Sequence, residues 1–175
     1  MAQNEVLVVN GKVTRATYDT LKAYLMPPMA KIIMLAVLVG YDIFLLVEMI
    51  LQQAWLYGLL IAVYTAFMII VYRRTQSGAV KRIVASRKEL RDGTGIELTL
   101  TLSQNGVRMF NNGTGRERNL RWNEFVSMCE TERCIALFVK KSSYLILPKE
   151  NMDEDRHQKV LAMIHAQCPK LKKRW

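Results

Sequence analysis

Residues 32–51 read IIMLAVLVGYDIFLLVEMIL: 20 residues, apolar apart from Tyr41, Asp42 and Glu48. At 1.5 Å per residue such a run forms a helix that crosses a hydrocarbon core of about 30 Å. Gln52 and Gln53 interrupt it, and a second run of 19 residues, Ala54–Tyr72, follows. Two adjacent runs of this length predict a transmembrane helical hairpin with spans 32–51 and 54–72. A buried soluble pair would need a surrounding domain larger than the rest of this 175-residue chain supplies. A cleaved leader does not fit, because about 30 residues precede a run longer than the usual 7–15-residue apolar region.

The mean hydropathy of +0.06 hides a division into two solvents, with apolar residues crowded into 32–72 and charge elsewhere. Lys12, Arg15, Lys22 and Lys31 precede the first span. Arg73, Arg74, Lys81, Arg82, Arg87, Lys88 and Arg91 follow the second, and the connecting turn has no basic residue. The positive-inside rule therefore predicts both termini in the cytoplasm and only the Gln52-Gln53 turn outside. On that side of the membrane the sequon Asn112-Gly113-Thr114 is a turn and not a glycan acceptor. Cys129, Cys134 and Cys168 are then reduced thiols, and their spacing matches no metal site.

Asp42 lies near the middle of its span. An acid there costs about 2.5–3.5 kcal/mol, while the thirteen Ile, Leu, Val and Phe residues of the same run contribute about −4 to −8 kcal/mol together. The span inserts, but Asp42 must avoid lipid. Antiparallel pairing about Gln52-Gln53 sets Asp42 beside Val63, which makes Tyr64 and Thr65 the nearby hydroxyl donors. Glu48, about one turn from the end, is expected to reach the surface. The intramembrane polar set is thus Asp42, Glu48, Tyr64 and Thr65. Trp55, Tyr57 and Tyr72 stand where aromatic belts form.

Outside the spans, Glu5–Val9 reads as a short strand and Thr17–Leu25 as a short helix ahead of Pro27-Pro28, so that residues 1–31 form a separate cytoplasmic N-terminal segment. Residues 73–92 read as a basic helix or linker continuing from the second span and ended by Asp92-Gly93. From Ile96 the apolar period changes to two: Ile96, Leu98, Leu100 and Leu102 alternate with polar residues. Asn105-Gly106 predicts a hairpin turn, Val107–Phe110 a second strand, Arg116–Trp122 a third, and a tight corner falls at Asn123–Phe125. Further strands are expected at 126–130, 135–140 and 144–147, with a helix opened by Asp153 and acids that suit its positive end. The inward set is Leu98, Leu100, Val107, Leu120, Trp122, Leu137, Val139 and Leu145, closed by Val160, Leu161 and Ile164. Trp122 and Phe125 read as core.

An antiparallel meander closed by one C-terminal helix is the order of a pleckstrin-homology-like (PH-like) domain. With the preceding strand, helix and two-span hairpin, and with Asn119-Leu120-Arg121-Trp122-Asn123-Glu124-Phe125 and Tyr144-Leu145-Ile146-Leu147-Pro148-Lys149 in the matching places, the chain resembles the YcxB-like family of small bacterial membrane proteins. The resemblance implies an α+β membrane protein: a two-helix transmembrane hairpin followed, over 93–175, by a PH-like antiparallel β meander or barrel closed by a C-terminal helix. It also implies a bacterial cytoplasmic membrane, multi-pass, and supplies no catalytic residues.

No nucleophile, base and orienting group assemble in the sequence, so the expectation is a non-enzyme without cofactors. The net charge of +10 lies largely beside a membrane span, where it suits anionic lipid and not nucleic acid. The expected function is a membrane-anchored binding or regulatory module whose PH-like domain engages a protein or anionic-lipid partner, with the loop cations Arg116, Arg118, Lys140 and Lys141 as binding candidates. The alternative is an accessory subunit of a transport or channel complex that uses Asp42 in an oligomeric helix bundle, the partner then being further copies or another membrane protein. The tail Lys170–Trp175 reads as a basic terminus, either solvated or touching the interface through Trp175.

Overall fold

A computed structural model describes residues 6–139 and 143–173, the side chain of Pro28 excepted. It divides into two compact units, residues 25–83 and the discontinuous set 1–24 with 84–175. The first contains α2 (Pro28–Gln52) and most of α3 (Leu56–Ser86). Both helices are long and apolar enough to cross a membrane, and almost none of their apolar length is buried by protein. A core helix of a soluble domain would be covered. Gln53, at φ 52° in the left-handed region, ends α2. Backbone bonds from Tyr57 to Ala54 and from Gly58 to Trp55 then start α3. The helix expected to run on to Asp92 breaks at Arg87, which is extended, and a single turn, α4 (Lys88–Arg91), follows.

The second unit is α+β. Strands β1 (Leu7–Val13), β2 (Ile96–Ser103), β3 (Gly106–Asn111) and β4 (Glu117–Leu120) form one antiparallel sheet in that order. The other sheet has the order β7 (Tyr144–Pro148), β6 (Cys134–Val139), β5 (Phe125–Glu130), β8 (Lys172–Lys173), with β8 parallel to β5. Between β4 and β5 a 3-10 turn, Trp122–Glu124, makes the corner foreseen in the sequence, and Arg121 N–H donates to Glu124 Oε1 at 2.9 Å. α5 (Glu154–Gln167) starts at Asp153, whose Oδ1 accepts from Arg156 N–H at 2.7 Å.

Three expectations need correction. The N-terminal segment does not stand apart: β1 pairs with β2 over the whole of Leu7–Val13, and α1 (Arg15–Leu25) packs on the same unit. The transmembrane hairpin is therefore an insertion between two parts of one domain, and the boundary at 93 cuts that domain. Second, the sheets do not close into a barrel. The edge of β5 that closure would need is held by β8, while β1 and β7 run side by side without a ladder, Gly11 lying against the Pro148 ring. Proline has no N–H to give there. Third, the tail is not wholly a solvated terminus, since Lys172 and Lys173 pair with Ser127 and Met128. Arg174 and Trp175 lie outside the described residues.

The inward set is buried as the alternation predicted, except that Leu161 is half-buried. All six residues of β6 are buried, including Cys134, Ala136 and Phe138, which strand alternation turns away from Leu137 and Val139. α1 covers that side: Tyr18 meets Tyr144 edge-on at 6.3 Å, Tyr144 meets Phe138 at 6.2 Å, and the Thr20 and Thr131 hydroxyls lie 3.3 Å apart. Burial, and then the neighbouring Tyr144, push the Tyr18 hydroxyl well above its ordinary pKa.

Gly106 opens β3 at φ 151°, and a Cβ there would stand 2.2 Å from the carbonyl oxygen of Leu120. Gly106→Ala is expected to destabilise the α+β unit by at least about 2 kcal/mol. Gly113→Ala, whose nearest neighbour would be Asn111 Oδ1 at 3.5 Å, is expected to cost less than about 1 kcal/mol. Urea unfolding of the full chain in detergent, followed by Trp122 fluorescence with Trp55 and Trp175 replaced by Phe, checks both.

Candidate functional site

The helical unit, residues 25–83, holds polar groups at two levels. Near the turn, Gln52 Nε2 donates to Glu48 Oε2 at 2.6 Å and Tyr57 Oη donates to Gln52 Oε1 at 2.9 Å. Glu48 is thus held within the hairpin by its i+4 neighbour. At mid-span Thr65 Oγ1 donates to Asp42, 3.2 Å from Oδ2 and 3.5 Å from Oδ1. Tyr64 makes no such bond. Its ring lies against that of Tyr41, centroids 4.4 Å apart and planes tilted by 52°, and Leu45, one turn beyond Tyr41, is buried.

In the α+β unit the four loop cations have different surroundings. Arg116 is exposed with no ion pair among the described residues. Arg118 is exposed and donates from Nη2 to Ser143 Oγ at 3.1 Å, tying β4 to the residue just before β7. Lys140 and Lys141 lie outside the described residues. The nearby Arg108–Glu117 pair, 2.6 Å long, and Asn119 together hold the exposed Glu117 carboxyl below its ordinary range.

Sequence reasoning missed a charged cluster at one end of the second sheet. Ladder register lines Glu130 up with Ile135, and Ile135 with Leu147. Lys149, two residues beyond Leu147, then reaches back to Glu130 Oε1. The first turns of α5 bring His157 Nε2 to 2.8 Å from the same oxygen, without the alignment of a hydrogen bond, and Glu154 to 3.7 Å from Nδ1. The Lys149 ammonium is the main reason that the Glu130 carboxyl sits below its ordinary range. The pairing joins residues 19 apart through a third strand, so no local spacing signals it.

Trp122 and Phe125 are core, as expected, with ring centroids 5.8 Å apart. Trp122 Nε1 donates to Ser103 O at 2.8 Å, and Cys168 Sγ donates to Trp122 O at 3.3 Å. The three cysteines are buried and form no disulfide among the described residues, and burial pushes the thiols of Cys134 and Cys168 up, away from the reactive thiolate. These contacts are structural and give no reaction geometry.

The architecture defines an α+β protein with two helices able to span a membrane, set between the first and second strands of its sheet domain. Residues 102–164, from the end of β2 into α5, match the family model described as YcxB-like protein. The likeness to the YcxB-like family is therefore borne out over that segment. No curated protein matches the chain.

The Glu130 cluster gives a pH dependence. A carboxyl whose folded pKa is lowered adds stability above its unfolded value, and that stability is lost as pH falls through the folded value. Lys149→Met should therefore lower the urea midpoint most at pH 6–7. The difference from wild type should shrink as pH drops below about 4, the ordinary glutamate range. Parallel titrations of the two proteins at pH 7, 5 and 3.5 measure it.

Proposed function

We propose that the chain is a membrane-anchored binding module whose α+β unit, PH-like in construction, works at the cytoplasmic face of a bacterial membrane and engages anionic lipid headgroups there. The observation that carries this reading is the run of cations just past the second span. Arg73, Arg74, Lys81, Arg82, Arg87 and Lys88 are all exposed, and none has an ion pair among the described residues. A basic helix leaving a bilayer is attracted to an anionic leaflet by about 1 kcal/mol per residue near the surface. Arg116, also exposed and without an ion pair among the described residues, adds a loop cation on the α+β unit. A binding role also agrees with the soluble unit's polar contacts, which are ion pairs, caps and strand-edge bonds.

The placement of both hairpin ends on one side of the membrane has support that does not depend on charge. β1 and β2 pair antiparallel although the apolar hairpin lies between them. That pairing supports a reading with both ends of the hairpin on one side of the membrane, and the positive-inside rule assigns that side to the cytoplasm. A second reading, an accessory subunit of a transport or channel complex, is supported by the mid-span contact of Asp42 with Thr65.

Because the α+β unit is discontinuous, the soluble form to test keeps residues 1–24 and 73–175 and replaces residues 25–72 by a flexible Gly/Ser linker. It is expected to float with vesicles of anionic phospholipid and not with neutral ones, with binding that falls as salt rises. Reversal of Arg73, Arg74, Lys81 and Arg82 to Glu should weaken it at least tenfold, and Arg116→Glu with Arg118→Glu by less. Equal flotation with both vesicle types, or none with either, overturns the lipid reading and leaves a protein partner.

A further inference from the structure

The midpoints of the two spans carry a polar level that one hairpin leaves incomplete. Asp42 has two carboxylate oxygens, able to accept about four hydrogen bonds, and Thr65 is its one side-chain donor among the described residues. On the same level the rings of Tyr41 and Tyr64 lie against each other, their planes tilted by 52°. Neither phenol hydroxyl has a hydrogen-bond partner among the described residues, and Tyr41 is 45% exposed. At this depth there is no water and lipid tails offer no donors, so acceptor and donors both seek partners in protein. Gly40, one residue before Tyr41, has open space where a side chain would stand. Such a position lets another helix approach closely.

We propose that two copies of the chain associate through this level, the tyrosine hydroxyls of each copy donating to Asp42 of the other. A second copy is the occupant these observations favour, because it brings the missing donors and the missing acceptor together and at the right depth. Both copies insert with the same orientation, so the two-fold axis runs along the membrane normal, and mid-span residues of one copy stay level with mid-span residues of the other. The contact is self-complementary, as a closed dimer requires. The pairing is independent of what the soluble unit binds.

The test uses the full-length chain, labelled separately with donor and acceptor fluorophores at the N-terminus and reconstituted into neutral phosphatidylcholine vesicles over a range of protein-to-lipid ratios. Wild type is expected to show energy transfer that falls on dilution in lipid. Asp42→Leu, and separately Tyr41→Phe with Tyr64→Phe, should each weaken association about tenfold, while Glu48→Gln, near the turn and already partnered, should leave it unchanged. The tyrosine variant nearly preserves shape, so it remains decisive if Asp42→Leu alters insertion. Mixing the two variants restores one of the two reciprocal donor–acceptor sets, so the mixed pair should associate more tightly than either variant with itself. Absence of energy transfer at every ratio overturns the proposal. So does transfer that survives both variants, or a mixed pair no tighter than its components.

Discussion

The ladder between β1 and β2 is the constraint on which the rest of the molecule depends. It joins Leu7–Val13 to Ile96–Leu102 residue by residue, and everything from Thr14 to Gly95 has to leave the sheet and come back. Closing so long a loop is less costly than its length suggests, because the entropy grows only with the logarithm of the loop. A hairpin of two helices of nearly matched apolar length also returns the chain to the level from which it left. If the two helices cross a bilayer, as their length and composition allow, one span or three would leave β2 on the side opposite β1. The pairing of β1 with β2 and the two-helix form of the insertion are thus one requirement seen from two sides. The same requirement explains why α1 sits where it does: it follows β1 directly and covers the face of β6 that would otherwise expose Phe138 and Cys134.

What the sequence reveals of this fold follows from how local each signal is. The period-2 run Ile96–Leu102, the Asn105-Gly106 turn and the Asp153 cap are short-range patterns, and each lies where the residues place it. β6 defeats alternation because both its faces are covered, and coverage is a property of distant α1. Barrel closure was misread for a related reason. Lys172 and Lys173 bond to β5 through their backbones, which leaves no trace in a lysine-rich tail. The break at Arg87 has no Gly or Pro to announce it.

The candidate sites divide in the same way. Helix periodicity and span length suffice to place Asp42 and Thr65 at one depth, but register depends on the turn. Pairing centred on Gln52-Gln53 would put Asp42 opposite Val63. In the structure Gln52 still belongs to α2, and α3 begins only at Leu56, so the centre moves toward Ala54 and Asp42 meets Thr65. A shift of about one residue in the turn moves the opposite helix by two. The Glu130, Lys149 and His157 cluster had no comparable handle, because it is assembled by the register of β5, β6 and β7 and by the entry of α5.

Solvent decides what each polar contact is worth. On the α+β unit, pairs such as Lys159 with Asp155 are largely exposed; water competes for them, and each adds little. Near the hairpin turn Glu48 has Gln52, backed by Tyr57, and lies within reach of the interface, so it is satisfied twice over. Asp42 has the same chemistry with neither advantage: one threonine hydroxyl at 3.2 Å, midway along two helices apolar enough to cross a membrane. A carboxyl on the soluble face could have no protein partner and cost nothing, whereas at mid-span the deficit has to be met by protein. Its position midway along an apolar helix, more than its identity as an acid, makes Asp42 the group whose surroundings constrain how the hairpin packs.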